Sequence, residues 1–154
     1  MIFKPIQLPR DRAAVIQFQK DSFYVSFGEE QHFNEEEYVN WLSEQLAKYP
    51  EGCVLIEENG KPIGQIELSI REYKGERIGY VHLFYLIAGE RGNGKGKWLQ
   101  SFAEDFFRRK GLRHYHLRVS PTNLKAVKFY KKNGLVEIGP ELYGKVIRMM
   151  GVVP

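Results

Sequence analysis

The chain of 154 residues is poor in cysteine, with Cys53 alone, so no disulfide can form within it. That fits a reducing compartment. Cys53 stands in the apolar run Cys53-Val54-Leu55-Ile56, where buried core packing is its expected fate. No stretch approaches the ~20 apolar residues of a membrane-spanning helix. The start, Met1-Ile2-Phe3-Lys4-Pro5, runs into charged residues without an apolar segment, so no secretory signal is expected. Internal repeats, low-complexity tracts and linkers are also missing, which predicts one domain over residues 1–154. Together these absences predict a cytoplasmic protein without a membrane partner. Charge of one sign is scarce too, with a formal net charge of +4. Lys and Arg are scattered except at Arg108-Arg109-Lys110 and Lys131-Lys132, both near predicted helix C-termini, where cations favour the helix dipole. No basic stripe exists, so nucleic acid is not an expected partner. A small anionic ligand suits the balance, and no metal site is expected.

Aromatic residues are abundant: ten Phe, nine Tyr and two Trp, enough for a large, well-specified core. Ile2–Gln7 reads as a first strand, and Pro9-Arg10-Asp11 opens a helix to about Ser22. Asn34, with Glu37 three residues on, resembles a capping box, and Val39, Leu42, Leu46 and Tyr49 follow at helical spacing. Cys53–Glu57 is a predicted strand, and Asn59-Gly60 marks a hairpin. The return strand alternates Gln65, Glu67, Ser69 with Ile66, Leu68, Ile70, which predicts one polar face and one buried face. After a turn at Lys74-Gly75, Tyr80–Ile87 is apolar enough for the sheet centre. Trp98, Leu99, Phe102, Ala103 and Phe106 form one predicted helical face, with Lys97, Gln100, Glu104, Asp105 and Arg108 opposite; Gly111 ends that helix. His114–Val119 should pair in parallel with the 80–87 strand. A helix over Leu124–Lys132 and strands near Leu135–Ile138 and Tyr143–Met150 complete the order βααβββαβαββ, a mixed α+β (α/β) sheet with helices on both faces. The final strand is expected to be exposed, an edge for pairing across a homodimer.

Between the apolar strand and its helix lies Arg91-Gly92-Asn93-Gly94-Lys95-Gly96. The first N–H groups of a helix lack internal partners and carry the positive end of its dipole, so a glycine-rich turn there can admit an anion. A tight structural connection would use the same glycines. Three phosphate-binding patterns compete. Gly89–Lys95 matches G-x-x-x-x-G-K, but the next position, which should be Ser or Thr for magnesium, is Gly96. A dinucleotide fingerprint would need glycine where Lys97 stands and an acid after the next strand, which ends in Ser120-Pro121.

The third pattern fits. Arg91-x-x-Gly94-x-Gly96 resembles the pyrophosphate loop of the GCN5-related N-acetyltransferases, the GNAT superfamily. Asn123-x-x-Ala126-x-x-Phe129-Tyr130-x-x-x-Gly134 is similar to that family's downstream element, with every spacing kept. The resemblance is strong over about residues 53–139, and the two N-terminal helices fit only in outline. Ala88 stands where relatives often have Pro, and Lys95 where they have an apolar residue; neither change removes a backbone N–H.

The resemblance implies a mostly antiparallel sheet of six to seven strands with a splayed parallel pair at its centre. It implies acetyl-CoA as co-substrate, with backbone of Leu86, Ile87 and Ala88 on the pantetheine. N–H groups of Arg91, Gly92, Asn93, Gly94, Lys95, Gly96 and Lys97 would hold the pyrophosphate, and Asn123 would add a contact. Tyr130 matches the family's general acid. His82, nine residues before Arg91, stands where several relatives carry a proposed base. A structural role for His82, Glu67 as base, and a water chain stay open beside it. Glu29, Glu30 and His32 fall in the region that lines the acceptor pocket in relatives, or are solvated loop residues. Phe23, Tyr24, Phe27 and Phe33 are pocket or core. The implied reaction acetylates a primary amine, on a small molecule or a protein. A non-catalytic acyl-CoA-binding regulatory domain is the alternative.

Overall fold

A computed structural model describes residues 1–28 and 33–154. Glu29, Glu30 and His32 lie outside the described residues. The elements are β1 (Ile2–Pro5), α1 (Arg12–Phe27), α2 (Glu35–Lys48), β2 (Cys53–Glu58), β3 (Lys61–Tyr73), β4 (Glu76–Leu86), α3 (Lys95–Arg109), β5 (His114–Val119), α4 (Leu124–Lys132), β6 (Val136–Glu141) and β7 (Val146–Val152). They build one seven-stranded sheet in the order β1-β2-β3-β4-β5-β7-β6. Every neighbouring pair is antiparallel except β4 and β5. Among the described residues no helix is long and apolar enough to cross a membrane.

Local chemistry explains most boundaries. Asn34 caps α2, its side chain accepting from the Glu37 N–H at 3.0 Å. Asn59 and Gly60 both take positive φ, 54° and 76°, so the β2–β3 connection is the tight hairpin turn the dipeptide predicts. α1 runs five residues past Ser22, to Phe27. Gly28 at φ 78° then closes it with an N–H bond to the Tyr24 carbonyl, at 2.7 Å.

Side-chain alternation divides the core in two. On one face Ile66, Leu68, Val81, Leu117 and Met149 pack against Leu99, Ala103, Phe106 and Phe107 of α3. Truncating a buried Phe of this kind costs about 3–5 kcal/mol. On the other face Cys53, Leu55, Leu83 and Tyr85 pack against Val15 and Phe18 of α1 and Tyr38 and Leu42 of α2. Cys53 is free and fully buried, as expected.

Three expectations fail. Gln65, Glu67 and Ser69 do share a face, but at 0%, 1% and 3% exposure it is buried, because α1 and α2 cover that side as well. In α3, Trp98 is 57% exposed and Gln100 only 5%, because Gln100 hydrogen-bonds the Tyr115 hydroxyl (3.0 Å) and the Asn133 carbonyl (3.2 Å) inside. The last strand is no edge: β7 lies between β5 and β6, so it cannot serve as the expected dimer edge.

Candidate functional site

The chain leaves β4 at Leu86 and makes one 3₁₀ turn over Ala88–Glu90. Glu90 N–H donates to the Ile87 carbonyl (2.9 Å) and Arg91 N–H to that of Ala88 (3.3 Å). From Gly92 through Lys97, by contrast, no backbone N–H finds an acceptor among the described residues. Gly94 is the N-cap of α3 and offers no capping side chain. Its φ of 89°, like the 80° of Gly92, lies in the left-handed region that turns successive N–H groups to one side, and side-chain residues enter it only at a cost. Among the described residues nothing stands within 4 Å of where a Gly94 Cβ would be, so the cradle opens outward. A Cβ on Gly96 would sit 3.1 Å from the Phe129 ring, so this glycine lets α4 pack on the first turn of α3.

The cations of the loop are engaged elsewhere. Lys95 pairs with Glu58 (3.0 Å) and Glu90, which raises its pKa. Arg91 donates from Nε to the Leu86 carbonyl (2.7 Å) and from Nη2 to Asp21 (3.0 Å), its guanidinium 5.5 Å above the Tyr85 ring. The anion site is therefore mainly main chain. Its orphan N–H row, at the positive end of a 15-residue helix, fits a pyrophosphate.

A bulge shapes the strands behind the loop. Glu67 opposes Leu83 and Leu68 opposes Val81, so His82 is the extra residue of β4. The parallel ladder to β5 stops at Val81↔Leu117, although β4 goes on to Leu86 and β5 to Val119. Beyond that point the strands splay. Ile87 N–H is bonded to the Ile63 carbonyl (2.9 Å), so by alternation the peptide groups of Leu86 turn toward the splay. Of the backbone assigned to pantetheine, the Leu86, Ile87 and Ala88 carbonyls and the Ile87 N–H are already engaged, leaving the N–H groups of Leu86 and Ala88. Asn123 caps α4, its Oδ1 accepting from Ala126 N–H at 3.3 Å. Tyr130, on the next turns of α4, is half-buried with its ring 5.6 Å from Phe129. Its hydroxyl has no hydrogen-bond partner among the described residues, and burial pushes its pKa up to about 12, so it holds its proton at neutral pH.

On the opposite face lies a cavity of about 550 Å³, walled by Phe23 and Phe27 of α1, Phe33, Tyr38 and Trp41 of α2 and its approach, Glu67, His82, and Lys145 from the β6–β7 turn. At its floor the Tyr38 hydroxyl and the Gln65 amide (2.8 Å) both donate to Glu67 Oε2, and Oε1 has no protein partner among the described residues. Burial pushes the Glu67 pKa up to about 7 despite these two donors. His82 places Nε2 2.7 Å from Ser69 Oγ, and Trp41 and Tyr80 stand edge-on to its ring, each at 4.9 Å. Burial, reinforced by the Arg71 charge, pulls its pKa down to about 3. His82 and Glu67 are thus brought to one cavity, and Phe23, Phe27 and Phe33 wall it; Tyr24 is exposed instead. Tyr38, Gln65, Trp41 and Lys145 were not read from the sequence. The signal for Tyr38 and Gln65 was there: a polar row on a strand, with two helices upstream that need a sheet face to cover.

The family model described as Acetyltransferase (GNAT) family matches residues 12–135, reaching back over both N-terminal helices. An uncharacterized N-acetyltransferase of Methanocaldococcus jannaschii is 27% identical over 110 residues, 69% of this chain and 49% of that protein. The chain thus spans about half the length of that curated relative. The ribosomal-protein-alanine N-acetyltransferase of Brucella melitensis has a similar structure, with TM-score 0.76 and 16% identity over 99% of both chains. PaiA N-acetyltransferase of Thermoplasma acidophilum, solved with coenzyme A, has TM-score 0.70 and 22% identity, again over 99% of both chains. At these identities the structural likeness establishes the fold.

Proposed function

Because the chain belongs to the Acetyltransferase (GNAT) family, we propose that it transfers an acetyl group from acetyl-CoA to a primary amine within a ternary complex. The observation that carries this reading is the orphan N–H row from Gly92 to Lys97 at the mouth of a splayed strand pair. Acetyl-CoA supplies a thioester whose acetyl carbon the amine attacks, with the CoA thiolate as leaving group. The N–H groups of Gly92–Lys97 hold the pyrophosphate, those of Leu86 and Ala88 hold the pantetheine, and Asn123, at the start of α4, adds a contact. The PaiA relative, solved with coenzyme A, supports this choice of co-substrate.

Two proton movements fall to side chains. A lysine-like amine, pKa about 10.4, is almost wholly protonated at neutral pH and must lose a proton to attack. Glu67 suits that role, since its pKa near 7 matches the working pH, it lines the cavity, and its Oε1 is left without a partner among the described residues. His82, with a pKa near 3, stays neutral and accepts protons weakly, so its part is to orient the amine with Ser69. The C–S bond breaks as the C–N bond forms, the Tyr130 hydroxyl delivers its proton to the sulfur, and the second proton shed by the acylated nitrogen returns through water to the Tyr130 phenolate.

The aromatic cavity receives the amine. Its acceptor is a small molecule or a protein amine; the name of the Brucella relative supports the second, and the cavity volume admits either. Acetyl-CoA offered with a mixed panel of small amines and peptides tests the reading. Amine-dependent thiol release with one acetyl added to an acceptor is the expected result. Tight acetyl-CoA binding without release would leave an acyl-CoA-binding regulatory domain.

A further inference from the structure

Beyond His82 the same sheet face carries a second polar cluster that the transfer step does not use. Alternation brings Arg71 and Tyr73 of β3, Tyr80 of β4, His116 and Arg118 of β5 and Arg148 of β7 to the face opposite α3. The Arg71 guanidinium lies 4.3 Å over the Tyr80 ring, and that of Arg148 lies 4.5 Å over Tyr73 and 5.9 Å over Tyr80. One carboxylate, Glu141, accepts from both Arg118 Nε and Arg148 Nε, each at 2.8 Å. Arg148 also places Nη1 3.0 Å from His116 Nδ1, and burial holds that imidazole neutral, with its pKa near 4. Arg71 forms no ion pair among the described residues. Two of the three guanidinium groups thus share one carboxylate, and Arg71 has none among the described residues. Tyr80 as a whole is 6% exposed, and its hydroxyl has no hydrogen-bond partner among the described residues.

This cluster adjoins the acceptor cavity. The Tyr80 ring meets the His82 ring edge-on at 4.9 Å, and His82 is part of the cavity wall. Glu37 and Glu67 lie within the cavity, with Lys145 in its wall, whereas beyond His82 stand Arg71, unpaired among the described residues, and the Glu141-paired Arg118. A positively charged acceptor tail would be repelled there. A planar oxyanion would find guanidinium forks and a phenol donor, the groups that recognise carboxylates best.

The geometry points to an anion subsite, formed by Arg71, Arg118 and the Tyr80 hydroxyl, that holds a carboxylate carried by the acceptor amine. The inference rests on the acetyl-transfer reading of the cavity. The acceptor enters with its amine toward Glu67 and its carboxylate past His82, so acidic amines are favoured over neutral ones. The carboxylate could come from a free amino acid or from an acidic peptide, and the test separates them.

The test compares kcat/KM for ω-amino acids of increasing length, and for peptides with one acidic side chain near the N-terminus, each against its amide. In the wild type the carboxylate form should be better by about tenfold or more, through KM. Whichever series shows the larger ratio identifies the source. Arg71→Gln should bring the ratio close to one by raising KM for the acid toward that of the amide, and Arg71→Lys should restore part of it. Equal kcat/KM for acid and amide in the wild type would overturn the subsite, as would a preference that survives in R71Q/R118Q. Guanidinium ¹⁵N resonances followed against glutarate, with glutaramide as the neutral control, give a readout independent of turnover. Saturable glutarate shifts that need Arg71, in a protein that transfers no acetyl group, would sink the transfer reading and keep the subsite. Transfer without those shifts would do the reverse.

Discussion

The loop after β4 and the cavity under α1 and α2 are built from different materials. The loop is main chain, six consecutive residues whose N–H groups converge because two glycines turn left-handed and a helix begins. The cavity is side chain, gathered from α1, α2, β3, β4 and the β6–β7 turn. A main-chain site needs only that certain residues lack side chains, so many different sequences can build it. A side-chain site is remade by each substitution in its walls. On the proposed reading, the loop is the half that the fold itself can supply, and the cavity is the half particular to this chain.

The largest effect tests the loop. Gly94→Val places a branched side chain at φ 89° and over the open N–H row. It should weaken CoA binding by about a hundredfold or more, some 2.7 kcal/mol, measured by calorimetry on a protein whose folding is verified by circular dichroism. Unchanged affinity in the folded variant would remove this loop from the cofactor site and erase the contrast between the two regions.

Tyr130→Phe comes next. It keeps the ring packing and removes the proton donor. General acid catalysis is worth about 10²–10⁴-fold, and a thiolate leaves readily, so kcat should fall by about 10²-fold. Acetyl-CoA affinity should change by less than about tenfold. Full activity would reduce Tyr130 to a packing residue.

Glu67 sharpens the cavity side through pH. As base it should make kcat/KM rise through pH about 7, and Glu67→Gln should flatten the rise and lower the plateau. The same shift governs stability. Glu67 holds its proton more tightly in the folded chain than at its ordinary value of 4.5, so stability is present at low pH and lost as pH rises from there through about 7. Glu67→Gln should therefore gain stability at pH 8 relative to pH 5, on the order of 1–3 kcal/mol, in denaturant titrations at both values. A titration midpoint that persists in the variant would exclude Glu67.

Arg91→Ala should have the smallest effect on CoA binding, about 1–2 kcal/mol or less, because its charge is tied to Asp21 and the Leu86 carbonyl while the N–H row survives. A loss matching that of Gly94→Val would mean the side chain, and not the main chain, carries the site.

The same contrast decides what could be read in advance. Local signals sufficed where chemistry is local: the Asn34 cap, the Asn59-Gly60 turn and the glycine loop with its Asn123–Gly134 partner all hold within one segment. The parallel pairing of β4 and β5 followed from the crossover, and its splay from the family resemblance. What failed needed tertiary knowledge. A polar row on β3 reads as solvent-facing unless two distant helices are known to cover it. Trp98 and Gln100 exchange roles because Tyr115, on another strand, offers Gln100 a partner. The bulge at His82 leaves no mark in composition, yet it ends the parallel ladder and turns that ring to the cavity.

The most direct test of the account is the melting temperature with acetyl-CoA, ATP with magnesium, or NAD added at equal concentration. A ligand at 100 times its dissociation constant stabilises the folded chain by about 2.7 kcal/mol. The account predicts a clear rise with acetyl-CoA, a much smaller one with the two nucleotides, and loss of the acetyl-CoA rise in Gly94→Val. Stronger stabilisation by ATP with magnesium would contradict it and return the G-x-x-x-x-G-K match at Gly89–Lys95 to consideration.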